Sequence, residues 1–177
     1  MNNLLPSTDL DHVSADRKIG DAAFRVLTES EFVTACTEIT AWEGYAATPL
    51  VSLAALAAAI GVGEVLYTDE GPRFGLGSFK ALGGSYAALR VLQRVISERL
   101  GQDVSLADLR DGKYPAQCAA ITLVSATDGN HDHSLAWGCK RFGVPCRIYI
   151  HAEVSEGRAV AMQDLGADVI RIDGDYG

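Results

Sequence analysis

Apolar residues recur along residues 85–101 at spacings of three and four, the period that lines one face of an α-helix. This pattern predicts an amphipathic helix that ends at Gly101, because glycine readily adopts the left-handed backbone that closes helices. Shorter signals predict helices over 28–42 and 48–61 and a strand over 64–69. The apolar stripe of the longest predicted helix consists of Tyr86, Leu89, Leu92, Ile96 and Leu100.

The second half of the chain alternates short apolar runs with helical stretches. The runs cover residues 119–125, 146–151 and 167–173, and the helical stretches between them cover 130–143 and 155–166. Strand and helix at such short intervals are typical of βαβ units, whose strands are parallel and whose crossovers are helices. We therefore predict an α/β fold of three layers, with parallel strands in 119–173 and helices packed on the sheet. A doubly wound sheet normally has more strands than these, so we expect the chain to be truncated.

Composition and charge narrow the classes of partner. The chain has 177 residues, of which 48% are hydrophobic and 21% charged, which suits a globular domain with a core. A formal net charge of −8 argues against nucleic acid or an anionic membrane as the main partner, because both attract clustered lysine and arginine. The four cysteines form no CxxC pair, so neither a zinc knuckle nor a dithiol redox centre is predicted. The N-terminus lacks the basic start and apolar core of a leader sequence, and we predict a soluble, cytoplasmic protein with a small-molecule ligand.

Two polar stretches lie where this pattern places helix starts. The first, "RFGLGSFKALGG", sets Lys80 between a glycine-rich run and the long helix, where the electropositive backbone disfavours a cation. Such a lysine either points into water or is held where it readily gives up its proton. The second, "SATDGNHD", follows an apolar run, and backbone N–H groups near Asn130 and His131 can face an anion. Asp128 in this turn is either a helix N-cap or a functional carboxylate, and the local sequence leaves both roles open.

The acidic and histidine residues of this turn resemble a metal cluster, but we predict no metal. Adjacent residues at a helix start face different directions, so Asp128, His131, Asp132 and His133 do not converge on one ion. His151 follows a predicted strand and is predicted to be a surface or capping histidine rather than a catalyst.

The motif "SFKALGG", followed later in the chain by "DGNH", resembles the fold type II family of pyridoxal-phosphate (PLP) enzymes. Along residues 48–177 the chain is similar in particular to the diaminopropionate ammonia-lyases of that family, through three motifs in the same order. The resemblance implies the three-layer parallel-sheet fold of fold type II enzymes, of which this chain looks like the N-terminal part only. It also implies that residues 1–85 belong to a large PLP-binding domain and residues 86–177 to a small, incomplete α/β domain.

The same resemblance implies the site residues. Lys80 matches the lysine that bonds the aldehyde of PLP and then moves protons. Asn130 matches the asparagine that donates a hydrogen bond to the phenolic oxygen of the cofactor. Asp128 matches the aspartate that removes the α-proton of the D-isomer, while Lys80 serves the L-isomer. The residues that match the loop for the substrate carboxylate are Thr127, Asp128, Gly129, Asn130 and His131.

The implied function is a PLP-dependent ammonia-lyase that converts D- and L-2,3-diaminopropionate to pyruvate and ammonia, as a homodimer. Two alternatives remain: another PLP-dependent amino-acid dehydratase of the serine or threonine type, or an inactive fragment that serves as a binding or assembly module. Members of the family have glycine where this chain has Asp132, which puts a second carboxylate near the substrate loop. The phosphate-binding loop of the family would lie beyond Gly177, so we expect the chain alone to bind PLP weakly or not at all.

Overall fold

The computed structural model describes residues 25–26, 28–127 and 129–173, and the chain divides into two compact units, Met1–Thr34 and Ala35–Gly177. The helices are α1 (Glu29–Thr40), α2 (Ala54–Ile60), α3 (Lys80–Leu100), α4 (Leu106–Arg110), α5 (Pro115–Ala119), α6 (Asn130–Phe142) and α7 (Glu156–Asp164). The strands are β1 (Leu50–Ser52), β2 (Leu66–Thr68), β3 (Leu123–Ala126), β4 (Cys146–His151) and β5 (Asp168–Ile172). The predicted domain border after residue 85 falls inside α3, and that division stays a prediction.

The parallel sheet predicted for residues 119–173 is confirmed. Its strand order is β3–β4–β5, and both neighbouring pairs are parallel, with α6 and α7 as the crossovers. Along β4, Cys146, Ile148 and Ile150 are buried in the core while Arg147 between them is exposed, as the two-residue period of a strand requires. The carboxyl ends of β3 and β4 therefore lie at one edge of the sheet, where the loop that leads into α6 begins.

The amphipathic stripe of α3 is confirmed at its centre. Leu89, Leu92 and Ile96 are fully buried, whereas Leu100 in the last turn is 39% exposed. The helix ends where the sequence predicts, at Gly101, whose φ of 65° is left-handed. No helix in the described ranges is long and apolar enough to cross a membrane.

The antiparallel pair of β1 and β2 shows that the predicted helix over 48–61 is wrong at its N-terminal end. Leu50–Ser52 forms a strand whose residues pair with Leu66–Thr68, and α2 begins only at Ala54. Strand 66–68 lies within its predicted range, and α2 ends as predicted at Gly61, with a φ of 74°. Apolar residues of such a short run fit either helix or strand, so the pairing with distant β2 decides.

Two more helices, α4 and α5, have no counterpart among the predicted elements. Each has five residues, too few to show a helical period in the sequence. Local contacts stabilise their starts: the Ser105 hydroxyl accepts the Asp108 N–H at 3.0 Å, and Pro115 occupies the first position of α5.

Candidate active site

Lys80 lies where the sequence predicts, in the first turn of α3. The loop before it contains Gly75 and Gly77, both with left-handed φ angles, 73° and 67°, that other residues rarely adopt. The Ser78 hydroxyl accepts the N–H of Lys80 at 3.2 Å and holds the end of the loop. Lys80 itself is exposed, so its amine is accessible to a ligand from solvent.

Arg73 anchors the start of this loop and is 7% exposed. Its guanidinium donates to both carboxylate oxygens of Glu70, at 2.8 and 3.0 Å. It also donates to the Ala46 carbonyl and to the Thr48 hydroxyl, both at 3.0 Å. The hydrogen bonds from Arg73 hold the pKa of the Glu70 carboxyl below its ordinary value. This clamp fixes the loop to the segment that precedes β1.

Phe74 docks the same loop against α6. It has a φ of 47°, the only positive φ of a residue other than glycine in the described part of the chain. Such a backbone conformation costs about 1 kcal/mol or more and persists only when surrounding contacts hold it. The Phe74 ring lies 4.7 Å from the ring of Trp137 in α6 and 6.0 Å from that of Trp42, centroid to centroid. These aromatic contacts connect the lysine loop to α6.

Small residues let α3 and α6 pack closely near both helix starts. A Cβ atom on Gly84 would lie 2.6 Å from the Ser134 hydroxyl and 3.2 Å from the His131 carbonyl. Ser85 donates its N–H to the Ser134 hydroxyl at 3.2 Å and its own hydroxyl to the Ser134 carbonyl at 2.8 Å. Since Gly84 is one turn after Lys80 and His131 is in the first turn of α6, the crossing brings the two helix starts together.

The predicted substrate loop leads from β3 into α6. Thr127 follows the strand and is half-buried, Gly129 is the N-cap residue of α6, and Asn130 and His131 form its first turn with exposed side chains. Asp128 lies outside the described residues, so its predicted roles as base and substrate contact stay predictions. The structure places the other loop residues at the end of the sheet that binds ligands in open α/β folds.

Asp132, which the sequence analysis places near the substrate loop, has a burial and a hydrogen bond that the sequence did not predict. It is fully buried, and its Oδ2 accepts the N–H of Thr127 at 2.9 Å. Its other oxygen, Oδ1, and the Thr127 hydroxyl are buried without a hydrogen-bond partner among the described residues. An acid three residues after the N-cap of a helix can accept a hydrogen bond from the backbone before the helix. This spacing is the feature of the sequence from which the hydrogen bond of Asp132 could have been predicted. The described residues contain no group of three His, Cys, Asp or Glu that could hold a metal ion.

A cavity of about 350 Å³ lies between the start of α6 and one face of α7. Its lining consists of Gly129, Asn130, His133, Arg158, Ala161 and Met162. Burial lowers the pKa of His133 below its ordinary value of 6.5, so the imidazole is neutral at neutral pH. The sequence did not predict that His133 and Arg158 share a cavity with Asn130, because α6 and α7 are separated by a strand.

These elements combine an accessible primary amine with a loop of backbone donors at a helix start. An exposed lysine can bond a carbonyl carbon and accept a proton. The exposed amide of Asn130 can donate hydrogen bonds to an oxygen of a ligand. Electrophilic carbonyl compounds with polar substituents therefore suit this site.

Comparisons with known proteins agree with this chemistry. A family model described as pyridoxal-phosphate dependent enzyme matches residues 41–177. The diaminopropionate ammonia-lyase of Escherichia coli (strain K12) is 35% identical over 133 residues, which are 75% of this chain and 32% of that protein.

Solved structures show the same similarity. The crystal structure of holo diaminopropionate ammonia lyase from Escherichia coli superimposes with a TM-score of 0.69 at 34% identity, covering 84% of this chain and 36% of the other. Threonine deaminase isoform 2 from Solanum lycopersicum, at 18% identity and a TM-score of 0.52, shares the fold, covering 84% of this chain and 35% of the other. The chain thus spans about a third of the length of the relatives it matches. On this evidence the chain belongs to the family of pyridoxal-phosphate dependent enzymes.

Proposed function

We propose that this chain is part of a PLP-dependent carbon–nitrogen lyase that releases ammonia from D- and L-2,3-diaminopropionate. The observation that carries the proposal is the exposed amine of Lys80 at a helix start that packs against the start of α6. Relatives named diaminopropionate ammonia-lyase, at 35% identity, support the choice of reaction over that of a serine or threonine dehydratase.

The residues present fit one end of PLP. Lys80 is exposed and accessible to the cofactor aldehyde. Asn130, at the start of the packed partner helix α6, would donate to the phenolic oxygen. When bound, PLP supplies an electron sink for negative charge at the substrate α-carbon. This chain spans about a third of the length of its relatives, and the phosphate would be held by a part of the family fold outside that third.

The chain's own residues then have separate tasks. Lys80 holds the cofactor and moves the α-proton of the L-isomer. Backbone N–H groups of the loop from Thr127 to His131 orient the substrate carboxylate, although the Thr127 N–H is donated to Asp132 in this structure. Asp128 accepts the α-proton of the D-isomer. The β-amino group leaves as ammonia, and hydrolysis gives pyruvate and a second ammonia.

The remaining parts of the proposal rest on the resemblance and on composition. They are a homodimer in the cytoplasm, no nucleic-acid or membrane partner, and a division between a large domain with residues 1–85 and a small one with residues 86–177. The net charge of −8 supports the absence of polyanionic partners. Analytical ultracentrifugation would test the homodimer.

Borohydride reduction tests the role of Lys80. The whole enzyme of which this chain is proposed to be a part is incubated with excess PLP, reduced and digested, and the mass of PLP is mapped onto lysines. We expect it on Lys80 in the wild type and in Lys140→Ala, a control because Lys140 is also exposed, and on no lysine in Lys80→Ala. Equal modification of several lysines would contradict the proposal.

Turnover separates the lyase from the dehydratase. Pyruvate release from both isomers of 2,3-diaminopropionate, well above release from serine, is the expected result. Faster release of pyruvate from serine, or of 2-oxobutanoate from threonine, would favour the dehydratase.

A further inference from the structure

Asp132 places a carboxyl group inside the loop that the proposed function assigns to the substrate carboxylate. The side chain is fully buried, and its Oδ2 lies 2.9 Å from the backbone nitrogen of Thr127. Carboxylate oxygens accept backbone N–H groups strongly at helix starts, where the helix dipole favours negative charge. An anion that belongs to the chain itself therefore already fills this position.

A ligand carboxylate would compete for the same donor. The Thr127 nitrogen carries a single hydrogen, which points to Asp132. The tethered carboxylate has a high effective concentration, and a second carboxylate beside it would be repelled at short range. Binding of a ligand acid at this donor therefore requires displacement of Asp132.

Two buried polar atoms next to this hydrogen bond point to a ligand of another kind. Oδ1 of Asp132 and the Thr127 hydroxyl have no partner among residues 28–127 and 129–173. Buried polar groups normally have partners, so these atoms suit a ligand or water that donates hydrogen bonds. The loop thus presents two hydrogen-bond acceptors, Asp132 Oδ1 and the Thr127 hydroxyl oxygen. Without Asp132, the same place would present the Thr127 N–H as a donor.

We propose that Asp132 is a specificity residue of this loop, whose carboxylate acts as an internal anion on the Thr127 N–H and weakens the binding of a ligand carboxylate there. The inference rests on the proposed function in taking the ligand to be an amino acid and this loop to be the site of its carboxylate. It explains what the acid does at a position where the resemblance predicts glycine.

Nuclear magnetic resonance of the ¹⁵N-labelled 177-residue protein tests this without PLP and without turnover. The first measurement is hydrogen exchange of the Thr127 amide in the wild type, Asp132→Asn and Asp132→Gly. We expect protection in the wild type, partial retention in Asp132→Asn, whose amide oxygen still accepts, and at least tenfold faster exchange in Asp132→Gly. Equally fast exchange in the wild type and Asp132→Gly would overturn the proposal.

The second measurement is a titration with sodium acetate, followed by the shift of the Thr127 amide. We expect acetate to bind Asp132→Gly at least tenfold more tightly than the wild type, with Asp132→Asn in between. A role in capping alone predicts lost protection without any gain in acetate affinity, and that result, or equal affinity in all three proteins, would refute the internal anion.

Asp108→Gly is the matched control, because Asp108 also occupies the third position of its helix. It should leave the acetate response of Thr127 unchanged. If Asp132→Gly fails to fold, the proposal is tested by comparing the acetate affinity of Asp132→Asn with that of the wild type, because asparagine removes the charge and keeps the shape of the side chain. The proposed reaction is tested separately, by turnover and by borohydride mapping. Its failure would therefore be distinguishable from failure of the proposal about Asp132.

Discussion

Replacing Gly138 by alanine should destabilise the protein, although alanine is the better helix former. A Cβ atom on Gly138 would lie 2.8 Å from the Ser85 Cα and 2.9 Å from the Ser85 Cβ, across the α3–α6 contact. Carbon atoms prefer about 3.5–4.0 Å, so the methyl group must push the helices apart by about 1 Å. A rotamer change cannot relieve a collision with a backbone atom.

Three effects set the size of the loss. Overpacking of a core contact costs about 1–3 kcal/mol. Separation of the helices also weakens the hydrogen bonds between Ser85 and Ser134, at about 1 kcal/mol each. In the opposite direction, the higher helix propensity of alanine raises the free energy of unfolding by about 1 kcal/mol. We therefore expect a net loss of about 2 kcal/mol in the free energy of unfolding.

Urea unfolding followed by circular dichroism measures this loss. The matched control is Gly83→Ala in α3, an exposed position where a Cβ atom meets nothing within 4 Å. It should stabilise the protein by up to about 1 kcal/mol. The reasoning is refuted if Gly138→Ala has the same free energy of unfolding as the wild type while Gly83→Ala is stabilised. The comparison requires that the slope of the free energy of unfolding against urea concentration is the same in all three proteins.

Three further predictions concern charge and thiols. Arg73→Ala should lower the free energy of unfolding by about 3 kcal/mol, because it leaves the partly buried Glu70 without its partner. The control Arg147→Ala breaks an exposed ion pair and should leave the urea midpoint unchanged. Equal shifts of the urea midpoint in the two variants would contradict the prediction. Because burial lowers the pKa of His133, the unfolded chain binds a proton that the folded chain does not, so stability should fall as the pH drops below about 6.5. His133→Gln should flatten that decline, and an equally steep decline would exclude this histidine as its cause. Ellman's reagent should modify Cys36 rapidly and the three buried cysteines only on unfolding, and rapid reaction of two or more thiols would show that the core packing is wrong.

The sequence by itself determined the elements whose signals are local. The buried stripe of α3 and the glycine ends of α2, α3 and α6 follow from side-chain period and from the backbone freedom of glycine. The parallel sheet follows from the alternation of strands and helices. The positions of Lys80 and Asn130 at helix starts could be predicted for the same reason, since a helix start depends on neighbouring residues.

Tertiary structure decided the features that join residues far apart in the chain. Strand β1 exists because it pairs with β2, although its apolar residues also suit a helix. The left-handed conformation of Phe74 is held by the rings of Trp42 and of Trp137 in α6. Ser85 donates a hydrogen bond to Ser134, 49 residues away. The sequence places Asp132 in the first turn of a predicted helix, near the substrate loop. Only the packing around α6 buries its side chain and directs it to the Thr127 N–H. Local patterns show which face of an element is apolar, but the partner of each buried polar atom depends on how those elements pack against one another.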